Sequence, residues 1–216
     1  MRSNHPHAVI TGGGGGLGSA INAGFRAAGW TVEAPGSDDL DVRDPVAVRR
    51  FFSDRKPDLL VCAAGITRDA PLARLGAEAW DEIWRVNYRG ALACAAAAIP
   101  GMAARGAGHV VFISSHSAVS PPPGQGAYAA AKAALLGLTR DLAARHGPDN
   151  IRVNAILPGF LETRMTANVS PSRRAEVLAA HSLGRLNTSD RVAAFIRFLH
   201  HQLPHTSGQV FQLDSR

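Results

Sequence analysis

The sequence predicts one doubly wound α/β domain, a Rossmann-like parallel sheet of about six full strands covered by helices on both faces and shortened after the second strand. Three observations carry this. Short apolar runs alternate with longer stretches of helical periodicity along all 216 residues. The apolar runs lack polar-out alternation, as strands buried on both faces should. A glycine cluster follows the first run and opens the first helix.

Each element follows in order. "HAVIT" (7–11) is a strand, and "LGSAINAGFRAAG" a helix closed by Gly29. "TVEA" is a second strand, and "DPVAVRRFFSD" a helix opening on Asp44 with Pro45 in its first turn. "DLLVCAAG" (58–65) is a buried strand running into small residues, and "GAEAWDEIWRVNYRGALACAAAAIPGMAARG" a long helix bent near Pro100. "HVVFISS" (109–115), the helix "AYAAAKAALLGLTRDLAARHG" and the strand "IRVNAILPG" (151–159) come next. A helix at about 189–200 and the strand "QVFQL" complete the pattern. No repeat, low-complexity tract or linker divides it, so residues 1–216 form a single domain.

Ten residues, "PGSDDLDVRD", separate Ala34 from Pro45. A parallel strand there needs a crossover of about a dozen residues or more. One βαβ step is therefore missing, and "LDV" (40–42) is at most a stub.

Composition narrows the function. Cys62 and Cys94 are too few for a disulfide framework and sit in apolar runs, which fits a reduced, cytoplasmic setting. The start lacks a signal peptide's apolar stretch, and no later run of 18 apolar residues spans a membrane. The net charge of +6 comes almost wholly from arginine, with lysine only at 56 and 132. The arginines are scattered, so nucleic acid is not the expected partner. The nine histidines show no metal-ligand spacing.

Two motifs carry chemistry. In "TGGGGGLG", Gly12, Gly16 and Gly18 fit G-x-x-x-G-x-G between a strand and a helix, so the backbone of Gly12, Gly14, Gly15, Gly16, Leu17 and Gly18 can turn tightly and meet a pyrophosphate at the helix N-terminus. In "QGAYAAAKAALLG", Tyr128 and Lys132 are one helical turn apart and leave the same face. An ammonium there favours the phenolate and lowers a tyrosine pKa that is ordinarily about 10. "ISS" brings Ser114 and Ser115 to the C-terminal edge of a strand, where open α/β sheets bind ligands.

These residues resemble the short-chain dehydrogenase/reductase superfamily over nearly the whole chain: "TGGGGGLG", Asn87 in "RVNYRGA", Ser115, "YAAAK" and "PGFLET", with 13 residues from Ser115 to Tyr128. "AAGITRDAPL", "AYAAAKAALLGLTR", "VNAILPGFLETRMT" and "LGRL" are most similar to 3-oxoacyl-(acyl-carrier-protein) reductases. The resemblance implies an NAD(P)H-dependent reductase of a carbonyl, favoured substrate a 3-oxoacyl thioester. Small ketones, sugars or polyketide intermediates are the alternative, and a non-catalytic dinucleotide-binding sensor or scaffold a further one. It implies that Tyr128 protonates the carbonyl oxygen, Ser115 bonds it, Lys132 holds the ribose, and Asn87 supports a proton relay. Asp41 and Val42 flank the adenine, Ala63, Ala64 and Gly65 line the ribose side, and Pro158, Gly159, Leu161 and Thr163 approach the nicotinamide. His116, Gln125 and Phe160 border the substrate.

The family's "NNAG" is here "CAAG" (62–65), so the sheet's polar bracing must come from elsewhere. NADP(H) is narrowly favoured over NAD(H): small residues at 36 and 37 leave room for a 2′-phosphate that Arg43 reaches, although Asp38 and Asp39 could bond a ribose diol or cap a turn. The carrier-docking positions are His109 and Asp149, neither a dependable cation, and Arg105, Arg145, Arg164, Arg173 and Arg174 are the substitutes for an acidic acyl carrier protein. The alanine-rich helices at 79–104 and 128–146 resemble those that pair subunits, which predicts a homodimer or homotetramer. Residues 160–186, helical at the centre with polar flanks, read as a lid over the substrate.

Overall fold

β1 (His7–Thr11) is buried over Ala8–Thr11 because it lies inside the sheet and both its faces are covered. The computed structural model describes residues 5–216; the first four residues, part of the start read above for a targeting segment, lie outside the described residues. β1 pairs in parallel with β2 (Thr31–Glu33) on one side and β3 (Leu59–Cys62) on the other. β4 (Gly108–Ile113), β5 (Ile151–Leu157) and β6 (Val210–Gln212) extend the sheet beyond β3, giving the order β2-β1-β3-β4-β5-β6 with every pairing parallel.

Alternate residues point to opposite faces, and both faces are apolar. Val9, Leu60, Val110, Phe112 and Val153 pack under α2 (Pro45–Phe52), α4 (Ala91–Ala103) and α5 (Gly126–His146). Ala8, Ile10, Val61, Val111 and Ile156 pack under α1 (Gly16–Ala27) and α7 (Ser189–Gln202). Each large aliphatic side chain buried this way contributes about 1.5–3 kcal/mol. The missing crossover is visible: after β2 the amides of Asp39 and Leu40 both turn back to Gly36 O, and no strand forms at 40–42. Leu40 and Val42 instead plug the edge of the α2/α4 layer.

The long helix breaks elsewhere than expected. It consists of α3 (Ala77–Trp84), a π-helical segment (Arg85–Gly90) and α4, and Pro100 lies exposed within α4. The change of register is at Asn87, whose amide bonds Ile83 O. It is also where Gly90 approaches Val42 so closely that a Cβ would lie 2.7 Å from Val42 Cγ2. A short segment, α6 (Pro171–Ala179), completes the helices and is capped by Ser170, whose Oγ accepts from Arg173 N.

β6 is three residues long, and beside its ladder with β5 one buried amide helps to seat it. Asn154, fully buried on β5, donates to Thr206 O at 3.0 Å, contacts His109 Nε2 at 3.1 Å and accepts from Gln209 N at 3.1 Å. Burial and nearby Arg152 hold His109 neutral, its pKa well below the usual value. Asn154→Ala is expected to cost roughly 3 kcal/mol, since each buried group left unpaired costs about 1–3 kcal/mol. Urea denaturation should show a lower midpoint at unchanged slope; a loss below about 1 kcal/mol would show that the amide does not seat β6.

Candidate active site

Five of the six strands deliver a segment to one edge of the sheet, and the predicted catalytic residues meet there. Lys132 lies on α5, 3% exposed, and its Nζ donates to Ile113 O at the end of β4 at 2.8 Å. Tyr128, one turn earlier, is half-buried, with its ring centroid 5.8 Å from the ammonium. Ser115 follows β4 and caps a short turn (His116–Ala118) by accepting from Ser117 N at 3.1 Å. It neighbours the Tyr128 phenol and acts to lower its pKa. The approach to α5 is braced by Ser117 Oγ donating to Gln125 Oε1 and Gln125 Nε2 donating to Asp69 Oδ2, both at 2.8 Å.

Burial raises the Tyr128 pKa above its ordinary 10, and Ser115 only partly offsets it. The net shift is therefore opposite to the lowering expected from Lys132, whose ammonium donates to Ile113 O. Tyr128 is thus a phenol with its proton in place, the form that an acid requires. Burial also lowers the Lys132 pKa from 10.5 to about 8, with the nearby Cys62 opposing.

Asn87 is fully buried in the π-helical segment, donating through Nδ2 to Ile66 O and Ile83 O at 2.9 Å and accepting from Ile66 N at 3.2 Å. Gly65 fits between Asn87 and Lys132 because it has no side chain; a Cβ would lie 2.8 Å from Asn87 Oδ1 and 3.4 Å from Nζ. The lost "NNAG" asparagines are replaced in part by Cys62, whose Sγ faces Ala91 O at 3.7 Å, and by Thr11 Oγ1, which accepts from Ala64 N at 3.4 Å.

The glycine loop suits an anion. Gly12 has φ +74° and lies against Ala63 and Ala64, and a Cβ on Gly18 would come within 2.2 Å of Gly12 O. At Gly14, by contrast, the nearest atom to an added Cβ is 3.8 Å away, so the outer face is open. α1 begins at Gly15 and Gly16 with no side-chain cap and no acid in its first turn, and Leu17 packs into the α1/α7 layer. Free N–H groups and the positive end of a helix dipole fit a dinucleotide pyrophosphate.

The adenine side differs from expectation in one respect. Val42 is buried in the core, and the Asp41 carboxylate is held below its usual pKa by a two-pronged bond from Arg43 at 2.9–3.1 Å. Arg43 is therefore already committed. Asp39 caps a turn by accepting from Gly36 N at 2.9 Å. After β5, Pro158 O accepts from Asn187 Nδ2 at 2.9 Å, Gly159 takes φ +85°, Phe160 is half-buried and Leu161 joins the core. Thr163 packs on Gly16, 2.8 Å from where a Cβ would be, and Arg164 donates to Gly14 O, so the start of the 160–186 segment already rests on the glycine loop. A cleft of about 500 Å³ bordered by Glu162 and residues 186–190 opens beside this segment, away from Tyr128.

The sequence reading missed Arg164 at the loop and, more completely, Asp214. That carboxylate is fully buried against Gly159, 3.9 Å from His116 Nδ1. The one available signal was its place two residues past a parallel strand, at the edge where ligands bind. Among the described residues no three His, Cys, Asp or Glu side chains are grouped to hold a metal, and no helix is long and apolar enough to cross a membrane.

The chain is similar to known proteins over nearly its whole length. A family profile described as Enoyl-(Acyl carrier protein) reductase matches residues 18–215. The chain is 34% identical over 241 residues to 3-oxoacyl-(acyl-carrier-protein) reductase FabG of Thermotoga maritima, covering 99% of this chain and 98% of that one. It is 33% identical to a mouse (Mus musculus) (3R)-3-hydroxyacyl-CoA dehydrogenase, over 92% of this chain and 90% of the relative. A solved structure from Beutenbergia cavernae, assigned as an NAD(P) dependent gluconate 5-dehydrogenase with NADP at low occupancy, superposes with a TM-score of 0.90 at 29% identity, over 99% of this chain and 97% of that one.

The buried ammonium has a measurable signature. Below pH 8 Lys132 is charged both folded and unfolded, and the fold bears its desolvation. Between pH 8 and 10.5 only the unfolded chain keeps the proton, so stability rises with pH. The stability of Lys132→Met relative to the parent is expected to fall by roughly 2–3 kcal/mol between pH 7 and pH 10, measured by denaturant titration of both proteins. A difference that does not change with pH would show that the ammonium is solvated.

Proposed function

Because this chain belongs to the short-chain dehydrogenase/reductase family, an oxidoreductase family with an NAD(P) cofactor, we propose that it reduces a ketone to a secondary alcohol with NADPH, and that the ketone is a 3-oxoacyl thioester. The observation that carries the reaction type is the convergence at one sheet edge of Ser115, on the turn after β4, with Tyr128 and the buried Lys132 one turn apart on α5. Bound NADPH supplies the hydride. Ser115 and Tyr128 converge on the carbonyl oxygen, and Tyr128 releases its proton as negative charge develops there. Lys132 has spent one of its three hydrogens on Ile113 O, and the others serve the ribose hydroxyls. Asn87 has both amide hydrogens committed, so it supports proton return by fixing the backbone beside Gly65 rather than by donating to a water. A scaffold or sensor would need none of this proton chemistry.

The substrate reading rests on relatives that act on 3-oxoacyl and 3-hydroxyacyl thioesters. Charge pairing limits how such a thioester is presented. Arg145 pairs with Asp141, Arg173 with Glu176, Arg174 with Glu162, and Arg105 with Asp58 and the carbonyls of Lys56 and Pro57. His109 is buried and neutral. These commitments favour a substrate that arrives without an acidic carrier domain. NADPH is favoured because Arg164 places a cation beside Gly14. Cys62 and Cys94 are free and buried, which suits the cytoplasm.

Subunit pairing is proposed through α5, whose outer stripe is small: Ala130, Ala133 and Ala134 are partly buried and Gly137 is exposed. Among the described residues nothing beyond the backbone of its own helix lies within 4 Å of a Cβ at Gly137.

Tyr128→Phe is expected to lower kcat by about 10²–10⁴-fold, with the dissociation constant for NADPH nearly unchanged. The assay uses acetoacetyl thioester and both reduced cofactors, and retention of most activity would remove Tyr128 as the acid. Gly137→Glu has room within its own chain, so it should fold normally and elute as a monomer. A dimeric mass by light scattering for that variant, or a monomeric mass for the parent, would place the interface elsewhere.

A further inference from the structure

Three segments of the proposed site meet at one carboxylate. The side chain of Asp214, beyond β6, is fully buried; it accepts from Arg216 Nε at 2.8 Å, Arg216 Nη2 at 2.6 Å and Gln212 Nε2 at 2.7 Å. Its Oδ2 also lies 3.9 Å from His116 Nδ1 and 3.9 Å from His181 Nε2. His116 directly follows Ser115, and His181 is two residues beyond α6, at the foot of the 160–186 segment. Gly159 is bare where the carboxylate passes: a Cβ would lie 2.8 Å from Asp214 Cβ. Ser215 adds to the join, its carbonyl accepting from Ser182 N at 3.1 Å and Ser182 Oγ at 3.0 Å.

Both imidazole nitrogens are buried, and neither has a hydrogen-bond partner. The tautomer of neutral His181 is fixed. Nδ1 is 2.7 Å from Val177 O, a carbonyl can only accept, and so Nε2 turns a lone pair toward a carboxylate. A separation of 3.9 Å is too long for a direct bond. It is also too short for a water between, since two bonds of about 2.8 Å through a tetrahedral oxygen span roughly 4.6 Å. A proton on the imidazole and a closure of about 1 Å convert either contact into a charge-assisted bond. Burial lowers the His116 pKa below its usual value; Arg216 and His181 act in the same sense, and Asp214 opposes them.

We propose that Asp214 is a positioning residue for this site: it seats His116 beside Ser115 and draws His181, with the foot of the 160–186 segment, into a closed arrangement over the substrate. The catalytic part of this proposal rests on the reductase reading above; the closure itself does not.

The test uses the full chain. Asp214→Asn keeps the size of the side chain and an acceptor for Arg216 while removing the charge, and His181→Gln probes the same contact from the other side should the first variant fail to fold. Amide exchange over residues 178–184 is compared without ligand in the parent and in each variant, and each variant should raise it about tenfold. With NADPH and acetoacetyl thioester, each should raise KM about tenfold while the dissociation constant for NADPH stays within about twofold. The double variant should be no worse than Asp214→Asn. Exchange over 178–184 equal to the parent in both variants, or effects that add in the double variant, would overturn the proposal. A parent protein that reduces no ketone would remove the reductase reading and leave the exchange result to decide the closure.

Discussion

A buried ammonium organises the ligand edge of this sheet. Lys132 is 3% exposed, and its charge has one main-chain partner, Ile113 O, at 2.8 Å. Holding it there constrains everything nearby. Residue 65 must lack a side chain, since a Cβ would press on both Asn87 Oδ1 and Nζ. Asn87 must sit where its amide closes on Ile83 and Ile66, which puts residues 85–90 in π register. Ser114 anchors the same turn of α5 from below, its Oγ donating to Lys132 O at 2.8 Å. A cation with so few partners is under-solvated, and a ligand bringing hydroxyls to the remaining hydrogens restores part of what burial removed. Binding there therefore stabilises the fold by mass action as well as arranging the chemistry.

The chain's basic character has a structural explanation. Arg152 donates to Leu199 O, Leu203 O and His200 O, closing the C-terminal end of α7. Arg105 does the same for the carbonyls of Lys56 and Pro57, and Arg55 pairs with Glu33 at 2.7 Å. A planar guanidinium stays charged and presents its donors in a fixed fork that grips two acceptors side by side, whereas an ammonium is a compact point charge. Lysine is kept for the one place where a compact donor whose pKa can move is useful, and Lys56 is its exposed counterpart. These three arginines thus hold elements together.

What the sequence revealed and what it concealed divide along the range of the forces involved. Strands, helices and the missing crossover at 34–45 were legible because periodicity and chain reach are local properties. Ser115, Tyr128, Lys132 and the glycine loop were legible because each sits in a tight motif whose spacing has a physical reason. The π segment was not: Pro100 is the residue that local rules flag, yet the register changes at Asn87 through a bond to Ile66, 21 residues away in the chain. The direction of the Tyr128 shift was misjudged because burial, a tertiary property, outweighs a neighbour one turn away. Arg43 looked free for a phosphate until the structure showed it gripping Asp41.

Asp214 escaped for a different reason, and the topology accounts for it. In an all-parallel sheet every strand points its carboxyl end at the same edge, so the residues just past each strand become neighbours whatever their distance in sequence. β1 leads to the glycine loop, β3 to Gly65, β4 to Ser115 and β5 to Gly159; β6, three residues long, leads to Asp214. The direction of β6 is set by Asn154 and the Ala155–Val210 register, both far from the tail in sequence. Reversing that strand would carry Asp214 to the opposite edge and leave His116 and His181 without an acid between them. The short last strand therefore does more than close the sheet: its polarity determines that a carboxylate stands behind the serine.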